Sequence, residues 1–471
     1  MLASGCGNDY SDYPSAYDDL EHGRWYWGDL HAHTRYSMDG CEDPENECQH
    51  IGDVPGEIFM EAAEDADIDF AANTDHSEYD LYYPEGWTGP AYEIWEGQQE
   101  LVANGEDESW VLPLLGYERK EDNGHRTVVL AEPTACEEYR VPGADRTTSS
   151  QEYTEAVYEQ TRDAAAPSTE EFREAMAFAE SQCDAVRWMH FTHHPAYYPP
   201  GDVDWSKKSK DADWEYLVEV YSSHGSSECV DVDRVNCDWR INANRSYEPD
   251  GTVQKALDLG FRLGFVGGTD GHDSRPGTLE DGGGPTSEWD DADNDGVGDT
   301  PTSQYTGGGL TGVLLRPPMD VDDLFDAFEA RRTVATSGPR PELEVYAEGK
   351  SGHRWLPGEL IPYEEVPLDL YVDIGSTDAP WTRIERISPD FEIAAAKIGT
   401  ELEDYWHPAP ETWTYVRVRY VYEDGREERV WISPWYVDGV TGLSCASSPA
   451  RLGWLSVVAL LGLARRRRPQ A

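Results

Sequence analysis

Apolar runs and amphipathic stretches alternate along the first two thirds of the chain, from about residue 24 to residue 332. Short apolar runs predict strands at 25–30, 69–74, 111–117, 126–131, 188–192, 217–222, 263–267 and 312–315. Apolar residues at helical spacing predict helices at 56–66, 168–182, 251–259 and 321–331. This alternation indicates an α/β fold on a parallel sheet, closed or open, with its site at the carboxyl ends of the strands.

The pattern changes after Gly338 and Pro339. Segments rich in Val, Tyr and Trp follow at 343–346, 368–374, 413–422 and 430–437, with few helix signals between them. They predict a small antiparallel β-sandwich-like domain over residues 339–440, after a main domain at 24–338.

An acidic insertion at 281–308 interrupts the main domain. Within it Asp291, Asp293, Asp295 and Asp299 surround Gly296, and alternating carboxylates with a glycine at the turn suit Ca²⁺ coordination. The pattern resembles a thrombospondin type 3 calcium loop, and it predicts a structural Ca²⁺ ion. A flexible acidic linker is the alternative.

Composition narrows the class of protein. The 471 residues include 17 Trp and 27 Tyr, which favours a folded protein with a well-filled core. Acidic residues number 93 against 37 basic ones, a formal net charge of −56, so genomic nucleic acid is excluded as a partner by repulsion. The sequence has neither a P-loop nor a Gly-x-Ser-x-Gly motif, which argues against nucleoside triphosphatases and serine hydrolases.

Both ends of the chain carry sorting signals. Residues 1–23 read as a leader, and their start is similar to the end of a bacterial lipoprotein signal, with Cys6 as the acylated residue unless the match is accidental. In the tail, 441–471, Cys445 precedes the apolar stretch 452–464 and then Arg465–Arg468. This tail resembles the MYXO-CTERM sorting class, and an ordinary hydrophobic anchor is the alternative. Either way we expect export in a bacterium, to the cell surface, outer membrane or periplasm, with membrane contact only through terminal anchors.

Six further cysteines form an even set, which predicts disulfides in an exported chain. Close spacing favours two short loops and leaves one long-range pair, although the sequence alone does not fix the connectivity. The pairs so favoured are Cys41–Cys48, Cys229–Cys237 and Cys136–Cys183.

Imidazoles and carboxylates follow six successive predicted strands. His31 and His33 flank Ala32 at a strand end, so both point to one side and can share a metal ion. Strand ends of a parallel barrel converge on one face, where cations offset the repulsion among carboxylates. The groups at the later strand ends are Asp75-His76, Glu118, His193-His194, His224, and Asp270 with His272.

In order, these segments match the motifs of the PHP family, the polymerase and histidinol phosphatase superfamily of metal-dependent phosphoesterases. The matching segments are 29–34 (Asp-Leu-His-Ala-His-Thr), 37–40, 74–76 (Thr-Asp-His), the strand ending at Glu118, His194-Pro195, and 269–272 (Thr-Asp-Gly-His). Segment 219–228 is similar to a poorly characterised exported branch of the family. The resemblance covers roughly 24–338 and implies a distorted (β/α)7-type barrel, without implying the substrate.

The resemblance also implies a ligand set for two or three divalent ions of Zn, Mn or Fe. One ion would be held by His31, His33, Glu118 and Asp270, and Glu118 would bridge to a second ion completed by His194 and His224. A third would be held by Asp39, His76 and His272. His193 is the alternative to His194, and Glu219 or Glu228 to His224, while Asp75 is expected to orient an imidazole. Structural roles are expected for His22, His50, His190, His353 and His407.

The expected function is hydrolysis of a small-molecule or oligomeric phosphoester by metal-activated water. Glu118, Asp270, His272 and Arg275 are the expected catalytic residues, with Arg35 or Arg119 as alternatives to Arg275 for binding phosphate. Two other functions fit the same residues: metal-dependent hydrolysis of an amide or ester bond, and metal binding without catalysis in a surface protein. The near-complete ligand set favours an enzyme, and the oligomeric state stays open.

Overall fold

The structure is a computed structural model. The described residues are 16–20, 22–34, 55–76, 98–99, 101–103, 109–121, 123–131, 173, 187–197, 203–210, 214–229, 248–271, 274–277, 309–377, 379, 381–389, 393–423 and 427–439.

Ten strands form the first part of the fold: β1 (Arg24–Ala32), β2 (Phe70–Asn73), β3 (Leu112–Glu121), β4 (Gly124–Leu130), β5 (Trp188–His193), β6 (Leu217–Ser222), β7 (Gly225–Ser226), β8 (Gly264–Gly267), β9 (Leu310–Leu315) and β10 (Thr333–Thr336). They lie in one sheet in the order β10, β9, β1, β2, β3, β4, β5, β6 and β7, and β8 pairs with β6. Nearly every residue of these strands is buried, as expected for strands covered on both faces.

Nine strands form the second part: β11 (Glu344–Glu348), β12 (Arg354–Trp355), β13 (Leu360–Ile361), β14 (Leu368–Asp373), β15 (Trp381–Ile387), β16 (Ile393–Ile398), β17 (Glu401–Trp406), β18 (Thr412–Val421) and β19 (Glu427–Val437). Strands β12, β11, β14 and β17 form a four-stranded antiparallel sheet. The strands β16, β15, β18 and β19 extend the first sheet, because β19 pairs with β10.

A shared apolar core joins the two sheets face to face. Val345 and Leu370 of the four-stranded sheet pack in one cluster with Val418 and Ile432 of the large sheet. The β-rich character predicted after residue 338 is therefore present. Five of the nine strands in this part, however, belong to the large sheet that contains β10. The boundaries of a separate domain stay a prediction.

Four α-helices are described: α1 (Ala16–Leu20), α2 (Pro55–Asp65), α3 (Val253–Asp258) and α4 (Val321–Glu329). Helix α4 is capped by Asp320, whose side chain accepts a hydrogen bond from the Asp322 N–H, and the helix buries Leu324, Phe325 and Phe328. Helices thus occur where the sequence predicts them at 56–66, 251–259 and 321–331, while 168–182 lies outside the described residues except for position 173. The fold is α/β with mostly strands and few helices, as the coarse prediction has it.

The sheet is mixed, whereas the sequence predicted a parallel one. Strands β1, β2 and β3 are parallel, as are β5, β6 and β8. Between them β4 runs antiparallel to both β3 and β5, and β9 runs antiparallel to β1. The cause at β4 is the short connection from β3, since Glu121 pairs with Gly124 and so few residues can join only antiparallel strands.

The first part curls until β8 approaches β1. A parallel bridge joins Ala32 to Gly271, the residue after Asp270, beyond the end of β8. Within the ranges given above, however, no continuous ladder joins β8 to β1, so the predicted barrel is not closed there. This approach still brings the ends of β1 and β8 together, and the candidate site lies where they meet.

Several predictions fall outside the described residues. These are the calcium loop at Asp291–Asp299, the terminal segments with Cys6 and Cys445, and all cysteines except Cys229. Cys229 is buried and disulfide-bonded, but its pairing with Cys237 stays a prediction. No helix in the described part of the chain is long and apolar enough to span a membrane.

Candidate metal centre

The centre forms where the chain leaving β1 meets the chain leaving β8. The Asp270 N–H donates to the His31 carbonyl at 2.6 Å, and the His33 N–H donates to the Gly271 carbonyl at 2.8 Å. The two backbones approach so closely that a Cβ on Gly268 would lie 2.4 Å from the Cβ of His31, so glycine is required there. Backbone pairing therefore fixes where the His31 and Asp270 side chains begin.

A buried carboxylate, Asp29, strengthens this junction. Its Oδ1 accepts hydrogen bonds from the backbone N–H groups of His31 and Thr269, each at 3.0 Å. Its Oδ2 accepts from the Thr269 hydroxyl at 2.6 Å and from the Gly277 N–H at 2.9 Å. Burial raises the pKa of Asp29 even though these donors oppose the rise. Asp29 thus ties β1, the end of β8 and the following loop together beneath the site.

Two site residues hold an uncommon backbone conformation. His194 has φ 28° and Asp270 has φ 51°, both in the left-handed region that residues with side chains rarely adopt. Such conformations cost free energy and persist where surrounding structure imposes them, which is common at functional sites.

Glu118, in β3, lies at the middle of the cluster. Its Oε2 is 3.4 Å from the Nε2 atoms of both His31 and His33, and 3.2 Å from Nδ1 of His76. Its Oε1 is 2.6 Å from Nδ1 of His125. Burial alone would raise the pKa of Glu118, but these imidazoles and that of His193 lower it well below its ordinary value. The carboxylate is therefore ionised at neutral pH and touches four imidazoles.

Glu219, in β6, fixes two imidazoles at once. Its Oε2 lies 3.1 Å from Nδ1 of His31, and its Oε1 lies 2.7 Å from Nδ1 of His193. Both Nε2 atoms then face Asp270, at 3.6 Å for His31 and 3.5 Å for His193. Burial raises the pKa of Glu219 to about 7. A carboxylate that binds one ring nitrogen and leaves the other toward an ion is the usual support of a metal-binding histidine.

His193, His194 and His224 form the other side of the cluster. The rings of His193 and His194 are 3.7 Å apart, and those of His194 and His224 are 5.0 Å apart, measured between centroids. Nε2 of His224 lies 2.9 Å from Oδ2 of Asp270. The ring of Tyr197 stacks on His224 at 4.6 Å.

The pKa values of the site residues bear on cation binding. Burial, followed by repulsion from neighbouring imidazoles, lowers the pKa values of His193 and His194 well below their ordinary range. Burial would also lower the pKa of His31, but Asp270, Glu118 and Glu219 raise it well above that range. The pKa of Asp270 is held well below its ordinary value by the surrounding imidazoles, against the effect of burial. The centre thus offers ionised carboxylates at Glu118 and Asp270 and neutral imidazoles at His193 and His194, whereas His31 would have to release a proton to bind an ion.

Four overlapping groups of side chains could each hold an ion, because their donor atoms lie within 4.8 Å of one another. Two buried nitrogens, Nε2 of His125 and Nδ1 of His194, have no hydrogen-bond partner among the described residues, as expected for atoms that await a ligand. Mixed imidazole and carboxylate donors suit Zn²⁺, Mn²⁺ or Fe²⁺. The groups are His31–Glu118–His193–Asp270, His33–His76–Glu118, Glu118–His125–His194 and His193–His194–His224.

The structure brings together seven of the nine ligands predicted from the sequence: His31, His33, His76, Glu118, His194, His224 and Asp270. The other two, Asp39 and His272, lie outside the described residues. Of the ligands predicted for the third ion, the structure therefore describes His76 alone. There the grouping differs, since His76 lies with His33 and Glu118. His193 and His194 both belong to the cluster, so the structure includes the preferred His194 and its alternative alike.

His125 is a member that the sequence reasoning missed. The ligands were predicted at the carboxyl ends of strands, whereas His125 lies at the start of β4. Because β4 is antiparallel to β3, its start lies at the same edge as the end of β3, beside Glu118. The turn sequence Asp-Asn-Gly at 122–124, a common hairpin signal, could have indicated this reversal.

The two competing carboxylates have other roles. Glu219 supports His31 and His193, as described above. Both oxygens of Glu228 accept hydrogen bonds from Nη1 of Arg417, at 3.0 and 2.9 Å, and one also accepts from the Tyr415 hydroxyl. Glu228 therefore binds β18 and is not in any of the four groups.

Asp75 acts on the backbone beside an imidazole. Its carboxylate accepts hydrogen bonds from the Thr34 N–H at 2.7 Å and the Thr34 hydroxyl at 2.8 Å, and also from the side chains of Asn73 and Gln98. It therefore anchors the chain directly after His33, while the expected orientation of an imidazole by Asp75 stays a prediction.

Arginines near the motifs differ in position. Arg119 pairs with Arg126 across β3 and β4, and alternation along β3 puts it on the face opposite to Glu118. Arg126 binds Glu215 on that face. Arg119 is therefore excluded as a phosphate ligand at this centre. Arg275 stays a candidate because the preceding Ser274 N–H donates to the His33 carbonyl at 3.2 Å, while Arg35 lies outside the described residues.

The histidines expected to be structural are not in the four groups. His190 is buried beside Arg126 and stacks on Trp188. His353 packs against Trp355, and His22 and His407 are exposed. His50 lies outside the described residues.

A model of the family described as protein of unknown function (DUF3604) matches residues 55–354, more than half of the chain. The chain belongs to this family. The match begins after His31 and His33 and ends at Arg354 in β12, so it includes the remaining described members of the four groups. The family description gives no activity.

Other comparisons add little. No curated protein matches the chain. A solved structure from Bifidobacterium adolescentis, described as a candidate metal-dependent phosphoesterase, shares 17% identity, covers 52% of this chain and 88% of its own, and has a TM-score of 0.26. A likeness this weak bears on neither the fold nor the chemistry.

Proposed function

We propose that this protein is a metal-dependent hydrolase of the PHP superfamily, and that it cleaves phosphoesters. The observation that carries the proposal is the convergence of seven histidines and two carboxylates on one site. Divalent ions bound there would lower the pKa of water and offset the charge of the substrate. Two or three ions of Zn, Mn or Fe fit the donors, with Asp39 and His272 as further ligands.

The chain's own residues hold the donors in place. Glu118 contributes one oxygen toward His31, His33 and His76, and its other oxygen toward His125. Asp270 faces His31, His193 and His224. These two carboxylates and His272 are the proposed catalytic residues. Arg275 follows Ser274, whose N–H binds the His33 carbonyl, and its guanidinium is the proposed ligand for a phosphate oxygen.

An anionic substrate fits this acidic chain only if cations set the local field. With a formal net charge of −56, the protein as a whole repels phosphate. Ions at Glu118 and Asp270 would reverse the potential inside the site. A reaction on a phosphoester would therefore depend on the bound ions.

The remaining parts of the proposal rest on the sequence. They are a (β/α)7-type barrel at 24–338 followed by a β-sandwich-like domain, a calcium loop at Asp291–Asp299, and export to the bacterial surface through the terminal segments. Labelled palmitate on Cys6 and fractionation of cells that express the full chain would test the export proposal.

The enzymatic proposal is tested on the full chain. The metal-free protein is loaded with Zn²⁺, Mn²⁺ or Fe²⁺, its metal content is measured by elemental analysis, and turnover of aryl phosphomonoesters and phosphodiesters is followed. We expect two or more ions per chain and metal-dependent turnover. Asp270→Asn should lower kcat/KM by at least about 100-fold, since it weakens a metal-binding carboxylate that lies beside several imidazoles.

The matched control is Asp404→Asn. Asp404, in β17 of the four-stranded sheet, pairs with Arg386 of β15, so its loss should leave metal content and turnover unchanged. Unchanged turnover in folded Asp270→Asn would reject the proposed site. Ions without phosphoester turnover would reject the phosphoesterase, and turnover of an amide or ester instead would replace it.

A further inference from the structure

His125 is well placed to bind an ion. It is the second residue of β4, beside the end of β3, and only 7% of its surface is exposed. Its ring is 4.9 Å from that of His194 and 6.4 Å from that of His193, measured between centroids. It therefore faces the cluster from a strand that none of the sequence motifs include.

The hydrogen bond to Glu118 sets which nitrogen of His125 is available. Nδ1 lies 2.6 Å from Oε1 of Glu118, too close for an intervening ion, so it carries the proton and donates. Nε2 then bears the lone pair. It is buried and has no hydrogen-bond partner in the described part of the chain, and the same holds for Nδ1 of His194.

A buried imidazole nitrogen with a lone pair normally accepts a hydrogen bond or binds a metal. Glu118, His125 and His194 form one of the four groups whose possible donor atoms lie within 4.8 Å of one another. Glu118 lies on the Nδ1 side of His125, nearly opposite to Nε2, so within this group an ion on Nε2 can be shared with His194. Glu118 then holds the ring from behind, as carboxylates usually do for metal-binding histidines.

We propose that His125 is a metal ligand through Nε2, that it shares an ion with His194, and that Glu118 holds its Nδ1; none of the sequence motifs includes His125. Two imidazoles select a borderline transition metal such as Zn²⁺, Fe²⁺ or Co²⁺ over Mg²⁺ or Ca²⁺. The inference rests on the metal-binding half of the proposed function and needs no assumption about the bond hydrolysed. The competing role for His125 is to orient Glu118 only.

His125→Cys separates these roles. A cysteine cannot reproduce the hydrogen bond from an imidazole to Glu118, but a thiolate is a strong metal ligand. The metal-free full chain is titrated with Co²⁺ and its absorption spectrum is recorded. We expect a thiolate-to-cobalt charge-transfer band in the near ultraviolet that the unaltered chain lacks. A folded variant that binds Co²⁺ without this band would overturn the proposal.

The matched control is His190→Cys. His190 is a buried histidine in β5, opposite Val128 of β4, and it is in none of the four groups. We expect no charge-transfer band from it. A band of equal intensity would show that any buried thiol near the sheet captures Co²⁺, and would overturn the assignment of His125.

A second measurement avoids substitution and so does not depend on a variant folding. Anomalous diffraction from crystals of the full chain grown with Zn²⁺ should show an ion bonded to Nε2 of His125. Ordered Zn²⁺ ions elsewhere in the cluster, with none bonded to His125, would overturn the inference. Both measurements read metal binding alone, so failure to hydrolyse phosphoesters would reject the proposed function and leave the role of His125 standing.

Discussion

At the scale of single residues, Glu219 shows how one carboxylate prepares two ligands. It holds Nδ1 of His31 and Nδ1 of His193, and so turns both Nε2 atoms toward Asp270. An amide at this position could accept only one of the two hydrogen bonds, because its NH₂ group is a donor. The second imidazole would then lose its support.

Glu219→Gln should therefore weaken the binding of Zn²⁺ by about 10- to 100-fold, the usual cost of losing a partner behind a metal ligand. Calorimetric titration of the metal-free protein measures this change. Glu365→Gln is the matched control, since Glu365 is also buried and accepts two hydrogen bonds, from Ser351, in the second part of the fold. Equal affinities in Glu219→Gln and the unaltered chain would refute the supporting role.

At the scale of elements, Asp29 joins β1 to the chain that leaves β8. In Asp29→Asn an amide nitrogen in the place of Oδ2 would face two donors, the Thr269 hydroxyl and the Gly277 N–H. The hydroxyl can donate to the His31 carbonyl at 3.1 Å instead, but the partly buried Gly277 N–H loses its acceptor, at a cost of about 1–3 kcal/mol. We expect the free energy of unfolding in urea to fall by that amount.

Asp204→Asn is the control for this prediction. Asp204 also accepts hydrogen bonds from a backbone N–H and a hydroxyl, but both belong to Ser206 in an exposed turn. Its replacement should change the free energy of unfolding by less than about 0.5 kcal/mol. If the two variants were equally stable, Asp29 would not be the tie between β1 and β8.

The same scale shows what the sequence could predict. Local apolar runs locate β1, β6 and β9 to within a few residues, because a buried strand is apolar in composition. Composition does not reveal the direction of a strand. The segment of β4 was therefore predicted as one more parallel strand, and His125 was missed with it. Pairing between distant strands, as in β10 with β19, depends on packing that no local pattern encodes.

Site residues follow the same division. His31, His33, Glu118 and Asp270 were predicted because each follows an apolar run in a recognisable motif. The role of Glu219 was left open, because its partners, His31 and His193, come from two other strands. Motifs thus identified donors, and only the folded chain shows which groups hold them.

At the scale of the whole molecule, a buried network links the two parts of the fold. Arg417 of β18 binds Glu228, which follows the His224 loop, and Glu385 of β15. All three side chains are buried. Glu385 also lies 2.9 Å from Arg383, so removing the guanidinium of Arg417 affects the buried Glu228 carboxylate most. Arg417→Met should lower the free energy of unfolding by about 3–5 kcal/mol.

A second substitution tests whether the loss comes from the pair itself. Glu228→Gln added to Arg417→Met removes the buried charge that lost its cation, and should recover part of the stability. Urea unfolding of the single and double variants measures the coupling. Purely additive losses would mean that the two side chains stabilise the fold independently.

The charge of the whole chain gives the last prediction, which depends on the proposed function. A formal net charge of −56 creates a negative field around the molecule, while ions at the centre act only over short range. Salt shortens the reach of that field from about 30 Å at 0.01 M to about 10 Å at 0.1 M. A phosphomonoester should therefore reach the site more readily at the higher salt, and kcat/KM should rise by roughly threefold or more. Elemental analysis at each salt concentration checks that the ions stay bound. A steady fall of kcat/KM with the ions retained would show that the metal centre, and not the acidic exterior, sets the field that the substrate meets.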